Sequence, residues 1–195
     1  MDIGHFSNKQ LEGIEVEVYE KIKAAVSEDV RKKLAAQEIA RETFLAHYHM
    51  NSSLTNEGSR IASHVFCGGF AAAEELDWKV EKAVKHLAGG LLAGVLETGG
   101  DFFVGARLIV RAAIQCAMRT HYDPTEVAER VIGVIQKACR ERVCNLTELT
   151  KIASRTAIQA ARSAPEKDLA TMERMLMGLI AGQPAAGGEN SNGLH

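Results

Sequence analysis

Tyr122-Asp123-Pro124-Thr125-Glu126 decides how the whole chain is read. An Asp just before a helix accepts hydrogen bonds from first-turn amides, and a Glu three residues later can reach back to the Asp amide, as in a capping box. Pro124 falls at the first helical position, where its missing N–H leaves no bond unmade. Asn145-Leu146-Thr147-Glu148 repeats the pattern and Asp101 opens a third unit, so the starts are spaced 22 and 22 residues apart. Within the units Ile114-Gln115, Ile135-Gln136 and Ile158-Gln159 recur, 21 and 23 residues apart. Such a period marks a tandem helical array.

Twenty-two residues also suit one uninterrupted amphipathic helix, because eleven residues make nearly three turns. Pro124 argues against that: inside a helix it would clash with a preceding carbonyl, at a cost of about 3 kcal/mol. Gly99-Gly100 reads as a stop, since helices commonly end on a left-handed residue. Each unit is therefore expected to be a separate helix of about 17 residues, roughly 25 Å long, followed by a tight reversal. Short connections set successive helices antiparallel.

Working outward, Ser7 precedes a helix with Leu11, Ile14, Val18 and Ile22 on one face, interrupted on the polar side by Val16. Ser27 and Asp29 suggest the cap of a second helix from Glu28 to about His49, with Val30, Leu34 and Phe44 apolar. Met50–Asn56 reads as a turn. A third helix, about Glu57 to Leu76, has a narrow small-residue face that includes Gly69 and Ala73. The next, from Asp77, carries Gly90 and Gly94 four residues apart, which permits close backbone approach to another helix. Each glycine costs a helix about 1 kcal/mol relative to alanine, so close packing is the expected compensation and this helix is expected inside. After Asp101, Arg107, Arg111, Gln115 and Arg119 make one thin polar stripe on an otherwise apolar helix, the expected centre of the fold. Ser163-Ala164-Pro165-Glu166 opens a last helix with Met172, Met175 and Met177.

The expected fold is all-α: an antiparallel multi-helix bundle or array of about seven helices, the later ones forming the tandem 22-residue repeat. Residues 1–181 make one domain, divided into N-terminal helices (7–76), a repeat-like array (77–164) and a C-terminal helix (165–181). Residues 182–195, rich in Gly, Asn and Ser, form a disordered tail. Few aromatics (5%), three prolines and abundant alanine agree with helix throughout. A net charge of −2 gives no general pull toward nucleic acid, although Asp101–Arg162 holds ten Lys/Arg against six Asp/Glu. Without aromatic interleaving, nucleic acid is a disfavoured partner. No secretory leader is expected, and no uncharged run exceeds Thr43–Asn56, too short and polar to span a bilayer. Cys67, Cys116, Cys139 and Cys144 show no diagnostic spacing, so reduced thiols and a cytoplasmic location are expected.

The best metal candidate is His47-x-His49 with His64-x-x-Cys67. Residues two apart on a helix diverge by about 200°, so His47 and His49 converge only beyond a helix end. His86 next to Lys85 is read as a packed residue, and Cys139 and Cys144 as unpaired small side chains. Arg107, Arg111 and Arg119 with Arg130, Lys137, Arg140 and Arg142 read first as solvated or salt-bridged stripes, with one basic groove for an acidic partner or nucleic acid as the functional alternative. Glu38 and Glu42 share a helix face but lack the histidine of a di-iron pair. The Gly-Gly pairs follow no strand, and no nucleophile motif is present. No catalytic, cofactor-binding or metal residue is therefore assigned, and no cofactor.

The leading functional expectation is a non-enzymatic scaffold or self-associating protein, with a protein partner or second copy bound. The alternative is an amphipathic coat on a lipid or polymer-granule surface. The 22-residue period resembles that of exchangeable apolipoproteins, and the alanine-rich, aromatic-poor composition is similar to that of bacterial granule-coating phasins. That resemblance covers about a third of the chain, and the tight caps depart from it.

Overall fold

Local chemistry sets where the helices start. Asp101 Oδ1 accepts from the Phe103 and Val104 amides at 2.8 and 3.1 Å, Asp123 Oδ1 from Thr125 at 2.8 Å, and Asn145 Oδ1 from Glu148 at 3.0 Å. All three expected caps form. Glu126, placed to complete the box, lies instead 3.9 Å from Arg130 one turn on. Asp123→Ala is expected to lower unfolding stability by about 1 kcal/mol in urea titrations. Asp123→Asn, which keeps the acceptor, should remain near the parent.

Helix ends are equally regular. Asp77, Gly99 and Val143 have positive φ (49°, 77° and 57°). Just after each, an amide turns back to the preceding helix: Trp78 to Ala73, Gly100 to Val95 and Cys144 to Cys139, at 2.8, 3.1 and 3.0 Å. This closure satisfies carbonyls that a helix end otherwise leaves open. Val143 is 93% exposed, so nothing packs its side chain in return for that conformation.

The computed structural model describes residues 7–28, 32–48, 57–163 and 166–181. Among them are eight α-helices: α1 (Asn8–Glu28), α2 (Lys32–His47), α3 (Glu57–Glu75), α4 (Val80–Glu97), α5 (Phe102–Ala117), α6 (Pro124–Glu141), α7 (Leu146–Ala160) and α8 (Glu166–Ala181), with a 3-10 turn at Ala161–Ser163. The first boundary differs from expectation. Ser27 lies inside a helix rather than before one, because α1 runs on through it after the good helix formers Ala24 and Ala25. Asp29, Val30, His49, the Met50–Asn56 turn, Ala164-Pro165 and the 182–195 tail lie outside the described residues.

Each helix packs against the next in sequence and against the next but one. Two layers result: α1, α3, α5 and α7 in one, and α2, α4, α6 and α8 in the other. Four helical hairpins are thus stacked side by side, and one continuous core runs from Leu11 to Leu176. Helix α5 touches α3, α4, α6 and α7. Its residues Ile109, Val110, Ala112, Ala113 and Ile114 are fully buried, while Arg107 and Gln115 reach solvent. It is the centre that the thin polar stripe implies.

Two glycines set how closely neighbouring hairpins approach. A Cβ on Gly90 in α4 would overlap the Gln37 carbonyl of α2, and a Cβ on Gly68 in α3 would overlap the Glu15 carbonyl of α1. Gly90 follows Gly68, and Gln37 follows Glu15, by the same 22 residues. The period legible from Asp101 onward therefore also governs the first two hairpins, where no cap repeats it. Helix α4 lies half inside: Leu87, Leu91 and Val95 are buried, while Glu81, Lys85 and Glu97 face solvent. Among the described residues no helix is long and apolar enough to cross a membrane.

Candidate functional site

The close contact of α1 with α3 at Gly68 brings Glu15 beside the polar edge of α3, where Ser63, His64 and Cys67 lie within one helical turn. Arg119, just beyond the end of α5, reaches the same place. Its Nη2 lies 3.2 Å from Glu15 Oε1, 3.3 Å from Ser63 Oγ and 2.8 Å from Cys67 Sγ. Glu15 Oε1 also lies 2.6 Å from His64 Nδ1. Burial pushes the His64 imidazole below its ordinary pKa; Glu15 pulls it back up, and Arg119 and Arg60 push it down again. The net shift is downward, which favours the neutral ring.

Beneath this cluster Cys67 is joined to Cys116 of α5 by a disulfide, with Cα atoms 5.5 Å apart. This corrects the expectation of four reduced cysteines. Two cysteines 49 residues apart carry no pairing signal in sequence; only the α3–α5 contact brings them together. Cys139 and Cys144 remain free thiols, and burial, with Cys144 adjacent, pushes the Cys139 pKa up to about 11.

The proposed metal quartet does not assemble. His47 Nε2 contacts Glu17 at 2.9 Å, His64 faces Glu15, and Cys67 is in the disulfide, while His49 lies outside the described residues. Among the described residues no group of three or more His, Cys, Asp or Glu could hold a metal ion. His86 is buried with its ring 6.1 Å from that of Trp78.

The single basic groove is also corrected. Arg119 belongs to the α1–α3–α5 face, whereas Arg130, Lys137 and Arg142 line a groove between α4 and α6 in the other layer. This groove has a volume of about 660 Å³. Its apolar lining includes Leu92, Leu96, Val134 and Leu179 of α8. Glu81, Glu129 and Glu141 line it as well, together with Lys85, Arg130, Lys137 and Arg142. Arg130 Nε is buried there without a hydrogen-bond partner among the described residues. The three methionines of the last helix also part company: Met172 is buried, Met175 half-buried and Met177 exposed.

No family model matches the chain, and no curated protein matches it. Among solved structures the chain is similar to a de novo designed helical repeat protein, DHR7, with a TM-score of 0.53 and 15% sequence identity over 90% of this chain and 95% of that one. At that identity the likeness speaks for the fold: an all-α helical repeat array.

Proposed function

We propose that the chain is a non-enzymatic helical-repeat scaffold that holds a protein partner in the α4–α6 groove. The observation that supports this reading most is the composition of the groove: apolar side chains together with both acidic and basic ones. A polyanion such as nucleic acid is best met by one sign of charge. A lining that combines both signs with apolar side chains suits a polypeptide segment, whose own charges fix register while its apolar side chains supply contact.

The coat alternative needs a continuous apolar face. The large exposed apolar residues among those described are Val16 on α1, Val143 between α6 and α7, and Met177 on α8, and the remaining apolar faces are spent on the core. They favour a scaffold over a surfactant-like coat.

Gly133 in the groove wall and Gly13 on α1 both have open space beside them, so each accepts a photo-crosslinking side chain. Expressed in its own cells, the Gly133 derivative is expected to yield a protein adduct of defined mass. Arg130→Glu with Lys137→Glu should reduce it at least about tenfold, the effect of losing about 1.4 kcal/mol of binding. An adduct of twice the chain mass identifies a second copy as the partner. Equal labelling at Gly13 and Gly133, or flotation of the purified protein with liposomes, would overturn the proposal.

A further inference from the structure

We infer that Cys67 and Cys116 form a thiol–disulfide exchange site for low-molecular-weight thiols and disulfides, in which Cys67 is the reacting sulfur and Arg119 its activating cation. The site lies in the α1–α3–α5 layer, away from the groove, and the inference stands independently of the scaffold reading.

The two sulfurs are not equivalent. Cys116 is fully buried, whereas Cys67 keeps 8% exposure at the polar edge where Glu15, Ser63, His64 and Arg119 meet. Cys67 is therefore the more accessible of the two, and so slight an exposure favours a small molecule over a protein loop. The Arg119 guanidinium lies 2.8 Å from Cys67 Sγ. A cation at that distance favours thiolate over thiol, the condition for nucleophilic sulfur. A bridge serving only as a structural tie needs no cation on its accessible atom.

The exchange balances without any further oxidant. In the reducing direction a substrate thiolate attacks Cys67 Sγ, the Cys67–Cys116 bond breaks, and Cys116 leaves as a thiolate that takes up a proton. A second substrate thiol, having lost its proton to solvent, then attacks the substrate sulfur of that mixed disulfide as thiolate, giving the substrate disulfide and a Cys67 thiolate beside Arg119. In reverse, Cys67 thiolate attacks a substrate disulfide and expels one substrate thiolate. Cys116 then loses its proton, attacks Cys67 Sγ and expels the second. His64, one turn before Cys67 on α3, lies against Glu15 on the same polar edge. The other groups facing the site are Arg60 of α3, which lowers the His64 pKa, and Ser63.

The test uses the full chain and glutathione in both redox states. In mixtures of the two, acid-quenched and mass-analysed, the Cys67–Cys116 pair is expected to open and close reversibly while helical circular dichroism is retained. With Cys116→Ser in a background where Cys139 and Cys144 are also serine, oxidised glutathione should add a single glutathionyl group, and add it at Cys67. Arg119→Met in that background should move the pH midpoint of Cys67 alkylation up by about one unit. At pH 7 it should slow the exchange about threefold, because the tenfold smaller thiolate fraction is partly offset by greater intrinsic nucleophilicity. Arg119→Lys should restore most of both. Opening of the disulfide only together with loss of helicity would overturn the inference, whatever the fate of the Cys116→Ser variant. So would an alkylation midpoint unmoved by Arg119→Met.

Discussion

Gly90→Leu is expected to prevent the native stack from forming, and Gly90→Ala to destabilise it by about 2 kcal/mol. On helix propensity alone the alanine variant should be stabilised, since glycine inside a helix costs about 1 kcal/mol. The environment reverses the sign. Even the first side-chain carbon would overlap the Gln37 carbonyl and press on the Ala40 methyl, and backbone cannot rotate away as a flexible side chain can. The α2–α4 contact must open, which loosens the packing around Leu87 and Leu91 as well. Leucine adds three more carbons to the same contact, for a cost above about 3 kcal/mol, a large share of the 5–15 kcal/mol that holds a typical domain together. Gly133 supplies the control. It is also helical, but a Cβ there meets nothing within 4 Å, so Gly133→Ala should stabilise by about 0.5–1 kcal/mol. Urea titrations of the two alanine variants should move in opposite directions. Movement in the same direction would show that the close approach does not govern the packing.

The contrast between those glycines also shows which parts of the architecture the chain displays openly. Caps are local: Asp101, Asp123 and Asn145 act on amides two or three residues away, so spacing alone reveals them. Gly90 and Gly94 announce a close approach, but nothing near them names Gln37 or Arg41 as the facing backbone. Gly68 makes the same contact with α1 and is hidden within an unremarkable Gly-Gly pair. The polar cluster is farther from view, because Glu15 and Arg119 are 104 residues apart and meet only once three hairpins are stacked. Arg119 looks like one tooth of a helical stripe, and nothing on its own helix shows that it covers a sulfur on α3. The arginines of α5 and α6 seem from composition to belong together, yet alternate helices enter alternate layers, which sends them to different faces. The three aspartate and asparagine caps and the buried face of α5 were therefore readable, and the identity of the next-but-one neighbours was not.

Phe44→Ala is expected to cost about 3–5 kcal/mol, toward the upper end of that range. The ring is wholly buried on α2 and stacks on Tyr48 with centroids 5.4 Å apart and planes 12° from parallel. Its other neighbours set the size of the loss. Cδ1 is 3.1 Å from where a Cβ on Gly94 of α4 would stand, and the far edge of the ring is 3.7 Å from the corresponding point on Gly58 of α3. The ring thus fills space that two helices leave open by having glycine there. When a large side chain is truncated, neighbouring side chains usually lean in and recover part of the loss; here two of the neighbours have none to lean. The cavity should therefore stay open, and a residual cavity sets the cost within the range for a given truncation. A second substitution tests this account of the magnitude. In the parent, Gly94→Ala crowds both Phe44 and the Arg41 carbonyl, the latter at 3.3 Å. In the Phe44→Ala background the first conflict is gone and the added methyl fills empty space. The two changes should be coupled favourably, by about 0.5–1 kcal/mol in a double-mutant cycle. Urea titrations with an unchanged denaturant slope would establish that the native state, rather than the unfolded chain, carries the difference. Additive effects, or a loss below about 1 kcal/mol for Phe44→Ala alone, would mean that Phe44 is not the plug between α2, α3 and α4.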